Sequence, residues 1–576
     1  MRSPLNLDPR LDPARIALVT LHAGFHHSSL ALSAIAAYCH EEPFFEGITR
    51  HEGLVKGKSD ELLAEMVARR PHLIGFSTYL WNIQPLLRLV AKLRQLLPEC
   101  CLVLGGPEAG PRGAELLRER SEIDFVIDGE GEEAFRRLAR WWLYGEGSLA
   151  EIPGLVWRGE SDAVNRNAAE VVAPERWVSP YVLGLGNLDK PLVYWETSRG
   201  CPFRCTFCTS STDRLRVAPL EQVEADLAIF RALENKTIKL LDRSFHLGAA
   251  RTLALLNRFL DTPDSLRFHL ELNPDRVSPE AMAIFRRAPA GKFQFEIGLQ
   301  TLDGPVLKRI DRAMAVEKGL ARIRELVALG KHPVHLDLIV GLPDEDAASC
   351  RRSLDTVFLL FPDHLQLGVL KLLPGTPLRV QADRFGYLWD REPPYEILGH
   401  RRLSFEELMR FKRYAELLER LWNSGLLVNT LSWLVPRSFG GSVSAFFDHL
   451  LSGSARAVAV ERLQPDRVFA HLVEALEEFL ANDPVLMELL LWDYAHHSLV
   501  TARTPALIAG ALKSSERLFR EAGNRRMPVL NLSEAGAAVV NRRRLDPLSP
   551  GRYAVWPRRE VRGRPVELVA LEGASR

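Results

Sequence analysis

Through the first 150 residues, short apolar runs alternate with longer stretches whose apolar positions recur every three or four residues. Residues 16–21, 44–48, 73–77, 101–104 and 123–127 read as strands, and residues 28–39, 60–69, 83–97, 114–119 and 132–143 as helices. Five β/α units with short connections predict an α/β fold that begins with a doubly wound parallel sheet of flavodoxin or Rossmann type. A ligand is expected beyond the carboxyl ends of its strands. Residues 152–159 and 165–172 predict a small hairpin. Pro174, Pro180, Gly184 and Gly186 then break any regular element, so 151–189 reads as a linker.

Alternation resumes with strands at 192–195, 238–241, 268–272, 293–299, 335–340 and 364–373, and helices at 249–259, 279–286 and up to about 310. Six such strands predict a partial (β/α)6 barrel over 190–385, with polar residues at the strand ends facing a site. From 386 to 576 the pattern turns mainly helical. Residues 405–423 and 466–480 are amphipathic, and Val468, Leu472, Ala475, Leu476 and Phe479 form an apolar stripe of the kind that packs into a core.

Composition changes this picture little. The 576 residues are 47% hydrophobic and 26% charged, as in an ordinary soluble globular protein. A net charge of +1 gives no general reason to expect nucleic acid or a membrane. No long uninterrupted apolar run occurs, and residues 1–15 are polar and proline-rich rather than signal-like. Seven cysteines are few for this length and argue against a disulfide framework, so a reducing cytoplasmic setting is expected. Cys39, Cys100, Cys101 and Cys350 lie in apolar contexts and read as core residues.

The chemistry concentrates at residues 196–208, E-T-S-R-G-C-P-F-R-C-T-F-C, where Cys201, Cys205 and Cys208 follow the apolar run 192–195. Cysteine thiolates hold iron–sulfur clusters. Three thiolates without a nearby fourth leave one iron of a four-iron cubane open to a small molecule. Pro202 and Gly200 deny the segment a regular helix. A structural zinc site would want a second Cys or His knuckle, and none follows.

The ends of the first-sheet strands are also informative. They run into Ser77-Thr78-Tyr79-Leu80-Trp81-Asn82, Gly105-Gly106-Pro107-Glu108 and Asp128-Gly129-Glu130-Gly131-Glu132-Glu133-Ala134. The last reads G-x-G-x-x-A, but a dinucleotide fingerprint belongs to the first βα unit, and three carboxylates would repel a pyrophosphate while suiting a helix N-terminus. With 102–108 (L-V-L-G-G-P-E) and 126–135 (V-I-D-G-E-G-E-E-A-F), the segment resembles the cobalamin-binding domain that precedes the catalytic domain of cobalamin-dependent radical S-adenosylmethionine enzymes. The series of strands from the cysteine loop to about residue 385 resembles the catalytic core of the same enzymes. The stretch 393–398 (P-P-Y-E-I-L) resembles the long C-terminal extension of one of their subgroups.

The resemblance implies three cofactors: a [4Fe–4S] cluster on Cys201, Cys205 and Cys208, S-adenosyl-L-methionine, and cobalamin. It implies that Ser77, Thr78, Gly105, Gly106, Glu108, Gly129 and Glu130 surround cobalamin or its nucleotide tail. Glu271, Glu296 and Gln300 would meet the methionine or ribose part of S-adenosylmethionine, residues 337–343 the adenine, and 372–376 would form the last strand. The Asp-x-His-x-x-Gly loop that supplies a lower cobalt ligand in cobalamin mutases is absent, so base-off cobalamin without a histidine ligand is expected. His22, His26 and His27, after the first strand, are the alternative donors.

The activity so implied is radical methylation of an unactivated carbon, or of phosphorus, in a small-molecule or peptide substrate. A cobalamin-assisted rearrangement, a non-radical methyl transfer with the same cofactors, and a non-catalytic cobalamin sensor are the alternatives. An electron donor such as flavodoxin or ferredoxin is the expected partner; the substrate stays open. The basic terminus, with Arg542, Arg543, Arg544, Arg552, Arg558, Arg559, Arg562 and Arg564 around Tyr553 and Trp556, has no recognised RNA module and reads as a solvated face.

Overall fold

The computed structural model describes residues 3–57, 59–160, 163–245, 249–453, 455–497, 504–514, 519–521, 525–527, 529–543, 547–556 and 567–570. Strands β1 (Ile16–His22), β2 (Ile48–Leu54), β3 (Leu73–Ser77), β4 (Cys101–Gly105) and β5 (Phe125–Ile127) alternate with helices α1 (Leu30–Tyr38), α2 (Ser59–Arg69), α3 (Ile83–Leu96), α4 (Gly113–Glu119) and α5 (Gly131–Tyr144). The strands pair in parallel in the order β2-β1-β3-β4-β5, which is the flavodoxin-like arrangement. β1 and β3 are buried on both faces, which is why they read as unbroken apolar runs. Ile16 and Leu18 pack towards α1 and α5, and Ala17, Val19 and Leu21 towards the opposite core with Ile83, Leu86 and Val90 of α3.

Two expectations shift here. The strand expected at 44–48 instead starts at Ile48, because Phe44 plugs the core beside α1 and α5 and residues Phe45–Gly47 turn in a single 3-10 coil. β2 is an edge strand, mostly half-exposed, so its polar sequence I-T-R-H-E-G-L hid it from the apolar pattern. The hairpin expected between 152 and 172 forms as β6 (Leu155–Arg158) and β7 (Val164–Arg166). It is not free-standing: β6 pairs antiparallel with β5 and extends the first sheet to seven strands.

The second sheet has the order β15-β14-β13-β12-β11-β8, built from β8 (Leu192–Trp195), β11 (Thr237–Leu240), β12 (Arg267–Glu271), β13 (Phe293–Gln300), β14 (Val334–Val340) and β15 (His364–Val369). Two short strands, β9 (Ser198–Arg199) and β10 (Arg216–Val217), form a separate antiparallel ribbon. The last barrel strand stops at Val369 rather than 373.

The chain divides into two compact units. The first holds Met1–Glu271, Ile310–Arg312 and Lys371–Ile397; the second holds Leu272–Arg309, Ala313–Leu370 and Leu398–Arg576. In the second unit, Ser404 and Glu407 make a capping box that starts the helix Phe405–Leu417, which widens to a π turn over Leu418–Asn423. Trp422 there donates to the Pro362 carbonyl, 3.0 Å. The expected helix 466–480 is broken at Leu476 into Pro465–Ala475 and Glu477–Asn482, with Val468, Leu472 and Leu476 buried as the stripe foretold. Strands Val529–Leu532, Gly551–Trp556 and Glu567–Ala570 add a small antiparallel sheet. Arg542 is exposed and lies 5.2 Å over the Phe361 ring. Arg544, Arg558, Arg559, Arg562 and Arg564 lie outside the described residues. No helix among the described residues is long and apolar enough to cross a membrane.

Candidate functional site

The cysteine loop is fastened at its base before any cofactor is considered. After β8, the buried Asp242 accepts from the Thr197 N–H at 2.8 Å and from the hydroxyls of Thr197 and Ser198, each at 2.6 Å. Burial pushes the Asp242 carboxyl upward, against the pull of those hydrogen bonds. β9 then pairs with β10, Arg199 opposite Arg216, so residues 200–215 form one loop closed by the ribbon. Gly200 is required there: its φ is +79°, and a Cβ would stand 2.3 Å from the Arg214 carbonyl oxygen. The Cys201 N–H donates to the Asp213 carbonyl at 3.2 Å, and the Cys208 N–H to that of Cys205 at 3.0 Å. The Thr206 N–H donates to the Ile310 carbonyl, and the Thr206 carbonyl accepts from the Leu378 N–H.

Within the loop Cys205 is buried while Cys201 and Cys208 are half-buried. Burial raises the Cys201 and Cys205 thiols; Arg312, whose Nη1 lies 3.5 Å from the Cys205 Sγ, pulls Cys205 back towards the thiolate. Among the described residues no three His, Cys, Asp or Glu side chains converge as a single ion would require. Cys39, Cys100 and Cys101 are buried in the cores of the first sheet and Cys350 lies buried in helix Ala347–Phe358, so none offers a fourth thiolate in the loop.

The candidate cobalamin turns close around one another at the ends of β3, β4 and β5. Thr78 donates through both its N–H (2.8 Å) and its hydroxyl (2.7 Å) to the Gly105 carbonyl, and its hydroxyl accepts from the Ala109 N–H. Asn82 ties the β3 end back to β1, donating to Thr20 and to the Leu21 carbonyl. Gly106 has φ +98°, and a Cβ on it would meet the Thr78 carbonyl at 2.6 Å. Gly105 differs: its Cβ position meets only Ile127, at 3.8 Å, so its missing side chain leaves room that the protein itself does not fill. Gly129, at φ +92°, turns the chain from β5 into α5. Beside these turns Tyr79 stacks on the half-exposed Trp81, ring centroids 4.6 Å apart.

Two of the carboxylates expected near cobalamin are engaged by the protein. Glu108, 3% exposed, accepts from the Tyr395 hydroxyl and from Arg112. Glu130 accepts from Arg216 and from the Val172 N–H. The loop histidines are likewise occupied: the His22 Nε2 lies 2.7 Å from Glu52, and the His27 Nδ1 lies 2.6 Å from the Tyr194 hydroxyl. Burial lowers His27. His22, His27, Arg50, Glu52 and Lys190 line a cavity of about 560 Å³ at the ends of β1 and β2.

Glu271 closes β12, its carbonyl accepting the Phe245 N–H. In the second unit, β13 alternates buried Phe293, Phe295, Ile297 and Leu299 with half-buried Gln294, Glu296, Gly298 and Gln300, and β14 sets His335 beside Glu296 and Asp337 beside Gly298. Gln300 ends the strand at φ +69° after a register shift. The shift pairs Gln300 with the buried Leu338, whereas Glu296 pairs with the half-buried His335. Sequence reasoning missed Tyr395, Arg216 and Arg312, whose partners are 287, 86 and 107 residues away. Arg199 stood in the cysteine motif, but nothing local tied it to an acid beyond β5.

Comparison with known proteins then places the parts. Residues 16–139 match the B12 binding domain, residues 195–357 the radical SAM superfamily, and residues 383–530 a family described as a protein of unknown function, DUF4080. The chain is 25% identical over 375 residues to 2-(S-pantetheinyl)-carbapenam-3-carboxylate methyltransferase of Streptantibioticus cattleyicolor, covering 61% of this chain and 53% of that one. It is 26% identical over 328 residues to the cobalamin-dependent radical SAM methyltransferase TokK of Streptomyces tokunonensis, covering 54% and 48%. The chain thus spans about half the length of the curated relatives it matches. In fold it is similar to the cobalamin-dependent S-adenosylmethionine radical enzyme OxsB, solved with aqua-cobalamin and S-adenosylmethionine: TM-score 0.57, 16% identity, 92% of this chain and 78% of that one. The chain thus carries a B12-binding domain followed by a radical SAM domain, the domains that take cobalamin, a [4Fe–4S] cluster and S-adenosylmethionine, and in this arrangement it is similar to the cobalamin-dependent radical S-adenosylmethionine enzymes.

Proposed function

We propose that this protein transfers a methyl group to an unactivated carbon, or to phosphorus, of a small-molecule or peptide substrate. What supports the reading most is the cysteine loop itself, three thiols closed in one ribbon-bound turn beside the B12-binding domain in the same compact unit. The named activities of the two methyltransferase relatives support it further. In this reading residues 1–150 are the cobalamin domain, 151–189 a linker, 190–385 the radical core and 386–576 an extension that shapes substrate choice.

When bound, the cofactors supply one-electron cleavage of S-adenosylmethionine and a transferable methyl group. The chain supplies position and shelter. Cys201, Cys205 and Cys208 hold the cluster through thiolates, with the Arg312 guanidinium compensating charge at Cys205. Glu271, Glu296 and Gln300 orient the methionine and ribose parts of S-adenosylmethionine. Gly105 lets cobalamin approach the backbone, while Thr78 and Gly106 hold that turn in shape. A flavodoxin or ferredoxin would deliver the electron.

Anaerobic reconstitution with S-adenosylmethionine, cobalamin and a reductant tests the proposal. The expected products are 5′-deoxyadenosine together with S-adenosylhomocysteine. Formation of S-adenosylhomocysteine alone with a methylated product would replace radical with polar transfer. Formation of neither by a fully loaded protein across a substrate panel would defeat the proposal.

A further inference from the structure

Five charged residues join the turn after β5 to the base of the cysteine loop. Arg216 binds Glu130 with both Nη atoms and also donates to the Val172 carbonyl, 2.7 Å. Arg199 reaches Glu132 at 2.7 Å, Glu196 at 3.0 Å and Glu130 at 3.7 Å. Trp177 underlies both guanidiniums, at 4.7 and 5.8 Å. Its indole N–H donates to the same Val172 carbonyl, whose residue's N–H returns to Glu130.

Exposed ion pairs of this kind contribute little. This network is different, because the Arg199, Arg216, Glu130 and Glu132 side chains are only 11–18% exposed. Removing one partner would leave a charge without compensation in a half-desolvated place. The ribbon it grips is only two residues per strand, too short to stand alone. That ribbon closes the loop carrying all three thiols, whose closure has an entropic cost of its own. Placed at the start of α5, Glu130 and Glu132 also meet the favourable end of the helix dipole, so they are acids held ready for cations.

We propose that Arg199 and Arg216 are positioning residues, a clamp through which the cobalamin domain holds the cysteine loop closed. The loop's capacity to take up and keep its cluster is thereby set by Glu130 and Glu132, which lie outside the radical SAM domain. This rests on the preceding reading that Cys201, Cys205 and Cys208 carry the cluster.

The test uses the full-length protein, reconstituted anaerobically with iron and sulfide. Iron per chain, the rate at which the thiolate-to-iron absorbance fades in air, and cobalamin per chain are measured together. Arg216→Gln should fade several-fold faster than wild type with cobalamin content unchanged. Arg216→Glu should lose iron outright, and the reversed pair Glu130→Arg with Arg216→Glu should recover most of it. Wild-type fading in Arg216→Gln, or a reversed pair no better than Arg216→Glu alone, overturns the clamp while the cluster assignment stands. A wild-type chain that takes up no iron overturns both.

Discussion

In the proposed reading the cysteine loop and the strand-end turns of the first sheet each receive a cofactor, and they would do so in opposite ways. The loop offers side chains: three thiols in a segment whose backbone is already tied to Asp213, Ile310 and the β9–β10 ribbon. The turns offer backbone and empty space, and their polar side chains are turned inward to Tyr395, Arg216 and the Gly105 carbonyl. Ligation by side chains is therefore chemically specific and fragile to single substitutions. Reception by backbone is tolerant at most positions and sensitive only where shape is decided.

The largest contrast should come from the thiols. Replacing Cys201, Cys205 or Cys208 by Ala should remove most of the iron and the associated absorbance, while cobalamin per chain holds near its wild-type value. Full iron in the triple variant would erase the distinction. The next effect separates two neighbouring glycines. Gly106→Val forces a β-branched residue to a positive φ, a cost of roughly 1–2 kcal/mol before its clash with the Thr78 carbonyl is counted, so its thermal midpoint should fall sharply. Gly105→Val should instead keep most of the stability and lose cobalamin, since it fills space left open at 3.8 Å. Equal behaviour of the two would mean that Gly105 is merely structural.

A smaller change is expected from Tyr395→Phe, which strips a hydrogen bond from the buried Glu108. Stability should drop by about 1–3 kcal/mol in denaturant titration, with iron content untouched. The smallest effect concerns the cobalt's lower face. Because Glu52 and Tyr194 already engage His22 and His27, the Co(II) paramagnetic resonance should lack nitrogen superhyperfine splitting, and Ala at positions 22, 26 and 27 should leave it unaltered. Splitting that vanishes in one of those variants would give the turns a side-chain ligand after all.

What the sequence made legible follows the same division. Strands buried on both faces, such as β1 and β3, announce themselves as apolar runs, and clustered cysteines stand out without any fold. The edge strand β2 did not, since it carries Thr, Arg, His and Glu in succession. Glu108 and Glu130 are expected beside cobalamin through the resemblance of 102–108 and 126–135 to a cobalamin-binding domain. Their actual partners, Tyr395 and Arg216, are distant in the chain, and no local pattern encodes a pairing across 287 or 86 residues. Gly105 and Gly106 look identical in sequence. Only the position of the Thr78 carbonyl tells the shape-giving glycine from the spacious one.

The antiparallel strands β6 and β7 carry a practical consequence for anyone cutting the chain. Cut at residue 150, the first sheet would end on β5 with its backbone N–H and C=O groups bare along Phe125–Ile127, a template for pairing with other copies and so for aggregation. Carried through residue 172, it ends instead on β7, three residues long and bearing Asn165 and Arg166, a short polar border that discourages further strands from joining.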